Sequence, residues 1–276
     1  MWWIPILVVL LLVLVWPISG PRRRGRPLLR HTGPQWRRNY GRRAFLRLGL
    51  ALGAAAVLVY SGADAALERR HAELADPREG RLAAARDALR AAGREHEALQ
   101  LHPESLPADA SDHAAATMKT WGERSWFLVW GAGALADWLW RSNPFSRWCR
   151  ANFEAMCVGL PMLWTVQRVL GSNRPLGPAA TPRWQPLAHA NAASGHAFMA
   201  AIPWWTLADR LPWPRGRLAV RGLGLLSGWS RLHDRMHYPS QLLLGWVIAA
   251  NAVAAVRADN GEPSAAAAPA APASVD

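Results

Sequence analysis

Cysteine is nearly missing from this chain. Cys149 and Cys157 are the only two, and they flank the start of an apolar run with no C-x-x-C spacing. No disulfide framework or paired-thiol metal or redox centre follows from them, and both read as small apolar residues. Acids are scarce as well, 19 against 32 basic residues, and only 18% of the chain is charged while 51% is hydrophobic. Between Arg22 and Arg47 there are ten arginines and no acid. The net charge of +13 raises the question of nucleic acid, but the arginines fall between apolar runs and not along one soluble face, so no nucleic-acid partner is expected. No lysine or arginine precedes the first apolar run, Trp2 to Ile18, and no A-x-A-like site follows it. Those absences disfavour a signal peptide and favour a retained anchor.

What the chain has instead is alternation. Apolar runs at Trp2–Ile18, Ala44–Ser61, Trp126–Trp140, Asn152–Leu170, His196–Leu211, Leu218–Trp229 and Gln241–Val256 are separated by polar loops. A helix needs roughly 20 residues to cross about 30 Å of hydrocarbon, so these runs read as about seven crossings. The arginine-dense stretches, 22–47, 141–150 and 215–221, then fall on one side, which the positive-inside rule makes cytoplasmic. The expectation is an all-α, polytopic transmembrane helical bundle: an anchor over 1–20, a solvated basic linker over 21–43, and a transmembrane domain over 44–257. An outer soluble loop over 63–124 and a disordered Ala/Pro-rich tail over 258–276 complete it. In the outer loop, Leu82, Ala85, Leu89, Ala92 and Leu99 share one face of a helix expected over Arg81–Leu101, ended by Pro103 and Pro107. That loop shows no catalytic pattern, and its histidines His71, His96, His102 and His113 are dispersed.

Polar residues of a particular kind sit at the outer boundaries of the later runs. They are Gln167-Arg168, Arg174-Pro175, Ser194-Gly195-His196 and Ser230-Arg231, with His237 after five intervening residues. Ionisable groups at such boundaries are costly and mark sites. Arg174 and Arg231 offer forked, charge-assisted hydrogen bonds to an oxyanion. Ser194 adds a hydroxyl, and Gly195 lets backbone N–H groups approach an anion where a helix begins. Two histidines supply a nucleophile and an acid near neutral pH. A tetrahedral phosphate suits this set.

These residues resemble the three signature motifs of the type 2 phosphatidic acid phosphatase superfamily, which includes vanadium haloperoxidases, bacterial lipid phosphatases and glucose-6-phosphatase. Eight identities match in order over roughly Trp126 to Val256. The resemblance implies a six-helix core, here with an extra N-terminal anchor, and hydrolysis without a metal or other cofactor. It implies that His237 is the nucleophile and His196 the general acid, and that Arg174, Ser194, Gly195 and Arg231 bind phosphate. Three positions depart from the pattern: Gln167 stands where the family has lysine, Ala193 where it has proline, and Gln241 where it has aspartate. Gln167 removes a positive charge from the phosphate site. Gln241 can still accept the ring N–H of His237 but stabilises its cation less, and the run His237-Tyr238-Pro239-Ser240-Gln241 resembles the corresponding glucose-6-phosphatase motif.

Simpler readings stand beside these. Boundary arginines often only snorkel. His233 and His237, four apart, have the spacing of a metal pair without a supporting carboxylate pattern. Asp137 and Glu154 are expected in buried structural pairs with arginine, and Trp204, Trp205, Trp213 and Trp229 in packing or the interfacial belt. The expected activity is removal of phosphate from a lipid-linked monoester or pyrophosphate, with membrane lipids as surroundings. A phosphotransferase, or a non-catalytic binder of lipid phosphates or of a partner, uses the same residues. The arginine- and alanine-rich composition points to a bacterial inner membrane, with the site facing the periplasm.

Overall fold

The computed structural model describes residues 27–75, 78–101, 108–140, 142–176 and 180–257. The proposed anchor and tail, the prolines at 103 and 107, His102 and Arg141 lie outside the described residues. Among the described residues the protein is all-helical, with no strand. In chain order the helices are α1 (Thr32–Asn39), α2 (Arg42–Tyr60), α3 (Ala63–Ala75), α4 (Arg78–Ala91), α5 (Glu95–Gln100) and α6 (Ala110–Thr120). They continue with α7 (Ser125–Leu139), α8 (Pro144–Leu170), α9 (Gly195–Ala208), α10 (Pro214–Leu223), α11 (Leu226–His233) and α12 (Pro239–Arg257).

Helix α12 is the centre of the bundle, packed against α2, α8 and α9, while α7 lies along α8. Trp126, Trp130, Met156, Phe198, Ile202, Leu244 and Ile248 fill the core between them. Gly245 lets α9 and α12 approach closely, because a Cβ there would fall 2.5 Å from the Ser194 carbonyl oxygen. A row of indoles runs through α7: Trp121 stacks on Trp126 and Trp126 on Trp130, with centroids 5.0 Å apart in each pair, and Trp130 meets Trp148 edge-on. Helices α2 and α12 are long and apolar enough to cross a membrane. On α2, Phe45, Leu46, Leu50 and Val57 point outward, so its apolar surface exceeds what the protein buries.

Three sequence expectations change. The 21–43 stretch is not merely a solvated linker: within it α1 docks on the bundle, where Gln35 Nε2 donates to Glu154 Oε2 at 2.8 Å and Asn39 Nδ2 to the Val158 carbonyl at 3.0 Å. A polar, arginine-rich segment gains a buried face through amides, which apolar periodicity does not reveal. The helix expected over Arg81–Leu101 breaks into α4 and α5 at Gly93, whose φ of +74° is left-handed. The run Leu218–Trp229 is divided between α10 and α11, and Trp205 Nε1 donates to the Arg221 carbonyl near the break. Helix α10 has no buried residue.

The lone acids in the apolar runs are engaged. Asp137 and Arg150 form a buried ion pair, and Asp137 also accepts from Ser146 Oγ. Helix α8, which carries Ser146 and Arg150, opens with a capping box between Asn143 and Ser146 and continues through Pro161.

Candidate active site

The site is assembled at the end of the bundle where α12 begins, α9 begins and α8 ends. His237 lies two residues before α12, and it is buried. Its Nδ1 lies 2.7 Å from Gln241 Oε1. Gln241 cannot turn over. Its Nε2 donates to the Asn173 carbonyl at 2.8 Å and to Ser172 Oγ at 3.0 Å, while its Oε1 also accepts from the Tyr238 N–H at 3.3 Å. A carbonyl can only accept and an amide N–H only donate, so the amide has a single satisfied orientation. His237 therefore carries its proton on Nδ1 and keeps the Nε2 lone pair.

Burial, and then the charges of Arg231 and Arg174, push the His237 pKa down to about 3 against the opposing Gln241 bond. The ring is neutral over the whole physiological range. The sign for stability follows from linkage: between its ordinary pKa of about 6.5 and about 3, the unfolded chain binds a proton that the folded chain does not. This contribution is fully present above about pH 6.5 and is lost as pH falls towards 3. Thermal unfolding of H237Q should accordingly depend less on pH over that window than wild type does.

Arg231, on α11, is buried. Its Nη1 donates to Asp234 Oδ2 at 2.8 Å, and its Nε finds no hydrogen-bond partner among the described residues. A buried guanidinium N–H without a partner is unusual and fits a site for an anion. Arg174 is exposed, with Nε donating to Asn191 Oδ1 at 3.3 Å, and its charge acts on both Arg231 and His237. Ser194 is the N-cap of α9: its Oγ accepts from the Ala197 N–H, and its own N–H donates to the Gln241 carbonyl at 2.8 Å. Its hydroxyl proton remains to be donated. Beside Gly195 the nearest side-chain atom to a would-be Cβ is Gln167 Nε2, 3.9 Å away, so the helix N-terminus is open there. Gln167 itself donates to the Ala193 carbonyl at 2.8 Å, which ties the end of α8 to the loop before α9. Arg168 is exposed. His233 belongs elsewhere, with Nε2 3.3 Å from Ser111 Oγ and 3.6 Å from Asp112 Oδ1.

The segment 63–124 lacks a catalytic pattern in sequence, but several of its described residues pack beside this site. Asp64, on α3, caps α12 from outside: Oδ1 accepts from the Ser240 N–H at 2.8 Å and Oδ2 from Ser240 Oγ at 2.5 Å. Glu68, one turn further, pairs with Arg235 at 2.9 Å, and Arg235 makes the reversal into α12 with a left-handed φ of 51°. Glu123 lies 3.5 Å from His196 Nε2. These contacts span 73 to 176 residues of sequence, so no local spacing announces them. Asp64→Ala is expected to cost about 1–3 kcal/mol by stranding a buried helix terminus, with Asp64→Asn recovering part of it. Thermal unfolding of the two variants measures this.

A helical bundle that holds two histidines and two arginines around a helix N-terminus has the chemistry to hold a tetrahedral oxyanion. Residues 137–261, just under half of the chain, match the model described as the PAP2 superfamily, which supports membership of that superfamily. Its members are generally phosphatases acting on phosphate esters. No curated protein and no solved structure matches the chain.

Proposed function

We propose that this protein is a membrane phosphatase that hydrolyses a lipid-linked phosphate monoester or pyrophosphate through a phosphohistidine. The observation that carries the reading is the locked Gln241 amide, which leaves His237 neutral with a free Nε2 lone pair beside Arg231 and Arg174. In the first step Nε2 attacks phosphorus, the P–O bond to the lipid breaks, and His196 gives the leaving oxygen its proton. In the second, His196 takes a proton from water as the water oxygen attacks phosphorus, and the P–N bond breaks to release phosphate and His237. Arg174, Arg231, the Ser194 hydroxyl and the Gly195 N–H carry the charge on the three phosphoryl oxygens. Gln167 acts here as a spacer that shapes the α9 entrance, not as a cation.

A lipid substrate is supported by placement. The site lies at one end of α12, and Arg257, Arg38, Asp209 and Arg221 interact at the other, roughly 28 Å away for 19 residues of helix. Two apolar helices join these ends. With the arginine-rich end on the cytoplasmic side, the site meets headgroups on the outer face, which in a bacterium is the periplasmic face of the inner membrane.

The test is phosphate release by the purified protein from phosphatidic acid, phosphatidylglycerol phosphate, undecaprenyl pyrophosphate and lipid A in mixed micelles. Release from at least one lipid, with a base-stable, acid-labile phosphoenzyme trapped on quenching, is the expected result. A folded protein that releases nothing but binds lipid phosphates would replace hydrolysis with binding.

A further inference from the structure

The familiar place for a carboxylate in this pattern is beside the nucleophile, and here that place is an amide, Gln241. The carboxylate brought to a motif histidine is Glu123, against His196. The contact is built. Glu123 follows Gly122, where a Cβ would fall 2.8 Å from both Cα and Cβ of His196, so a residue with no side chain lets the chain pass this close. The Gly122 and Glu123 N–H groups close a turn on the Lys119 and Thr120 carbonyls, and Trp126 Nε1 donates to the same Thr120 carbonyl at 2.7 Å. Trp121 is held between Trp126 and Trp204, with ring centroids 5.0 and 4.9 Å away, and Trp204 is on α9, the helix that His196 opens. The pair is therefore positioned by packing on both sides.

Its electrostatic setting explains the need. Three groups act on His196 from the elements around it: Arg231 from α11, Lys119 from the end of α6, and Glu123. His237 faces it as well, but that ring is neutral. Lys119 is the only lysine in the chain. A general acid must hold its proton until the leaving oxygen takes it, and burial and then two nearby cations oppose that. A carboxylate at 3.5 Å works against them, and both partners are part-exposed, at 28% and 22%, so the ring stays within reach of solvent and substrate.

We propose that Glu123 is a positioning residue for the general acid, holding His196 in its protonated, correctly turned form for the leaving oxygen. The outer segment is then part of the active site, and the carboxylate support lies on the acid in place of the nucleophile. This rests on the hydrolase reading above. The step is unchanged in balance: the proton passes from His196 to the leaving oxygen and returns from water, and Glu123 stays ionised throughout.

The experiment compares wild type, E123Q and E123D in two measurements. In the resting protein, the His196 ring is titrated by NMR of histidine-labelled protein, assigned with H196N. E123Q is expected to titrate about one pH unit lower than wild type, with E123D intermediate. In turnover, E123Q is expected to lower kcat for an alkyl phosphate about tenfold, yet change that for p-nitrophenyl phosphate less than about twofold, because nitrophenolate leaves without a proton. KM should hold in both cases. An unchanged His196 titration, or equal losses on the two esters, overturns the proposal. A shifted titration in a wild-type protein that turns over neither ester overturns the hydrolase reading, and the acid role with it, so the two failures are told apart.

Discussion

H237A is expected to lower phosphate release by about 10⁴-fold or more from any substrate, whatever its leaving group. Loss of a nucleophile removes the covalent route, and the arginines and helix N-terminus that remain only orient phosphate and water. The variant also opens a small cavity and leaves Gln241 Oε1 with the Tyr238 N–H alone, so H237N and H237Q serve as controls for folding. They should unfold near the wild-type temperature at neutral pH and remain as inactive as H237A. H196A should behave differently. It is expected to lose most activity on alkyl or lipid esters and much less on p-nitrophenyl phosphate, since only the former need a protonated leaving group. Equal activity of wild type and H237A would end the phosphohistidine reading.

The second large effect is expected at Gln241. This side chain joins two parts of the site: it orients His237 through Oε1 and holds the start of the first motif loop, at Ser172 and Asn173, through Nε2. Q241A removes both functions, and about a 100-fold loss of kcat is expected once the imidazole is free to change tautomer. Stability should fall by about 1–3 kcal/mol, because the part-buried Asn173 carbonyl loses its 2.8 Å donor and Ser172 Oγ loses the Gln241 N–H. Q241E separates the two functions. The carboxylate still accepts the Nδ1 proton and strengthens the imidazole as a nucleophile, but it turns an acceptor towards the Asn173 carbonyl. The expected outcome is greater residual activity than Q241A with an equal or larger drop in unfolding temperature. Equal activity in the two variants would show that the ring is oriented by packing and not by this bond.

Gln241 fits the site through hydrogen bonds of its own. In sequence, Gln241 reads as a loss of charge. In the structure it makes a bond that an aspartate cannot make, a donation to the Asn173 carbonyl. Gln167 is similar: it gives up the charge of a lysine and donates to the Ala193 carbonyl. Both substitutions exchange electrostatic strength for hydrogen bonds between motif loops.

Sequence by itself determined the all-helical class, because apolar runs of helical length bounded by prolines, glycines and caps leave no alternative to helices. It also determined the identities at Arg174, Ser194, Gly195, Arg231 and His237, since each belongs to a short ordered motif whose chemistry is local. Tertiary structure alone decided which acids lie beside these motifs. Asp64, Glu68 and Glu123 lie in a mixed-charge segment with no motif, and their partners are far along the chain. The docking of α1 through Gln35 and Asn39 was hidden for the same reason. Periodicity records which face is apolar, but a hydrogen bond or ion pair between distant residues is fixed only when packing brings donor and acceptor within about 3 Å.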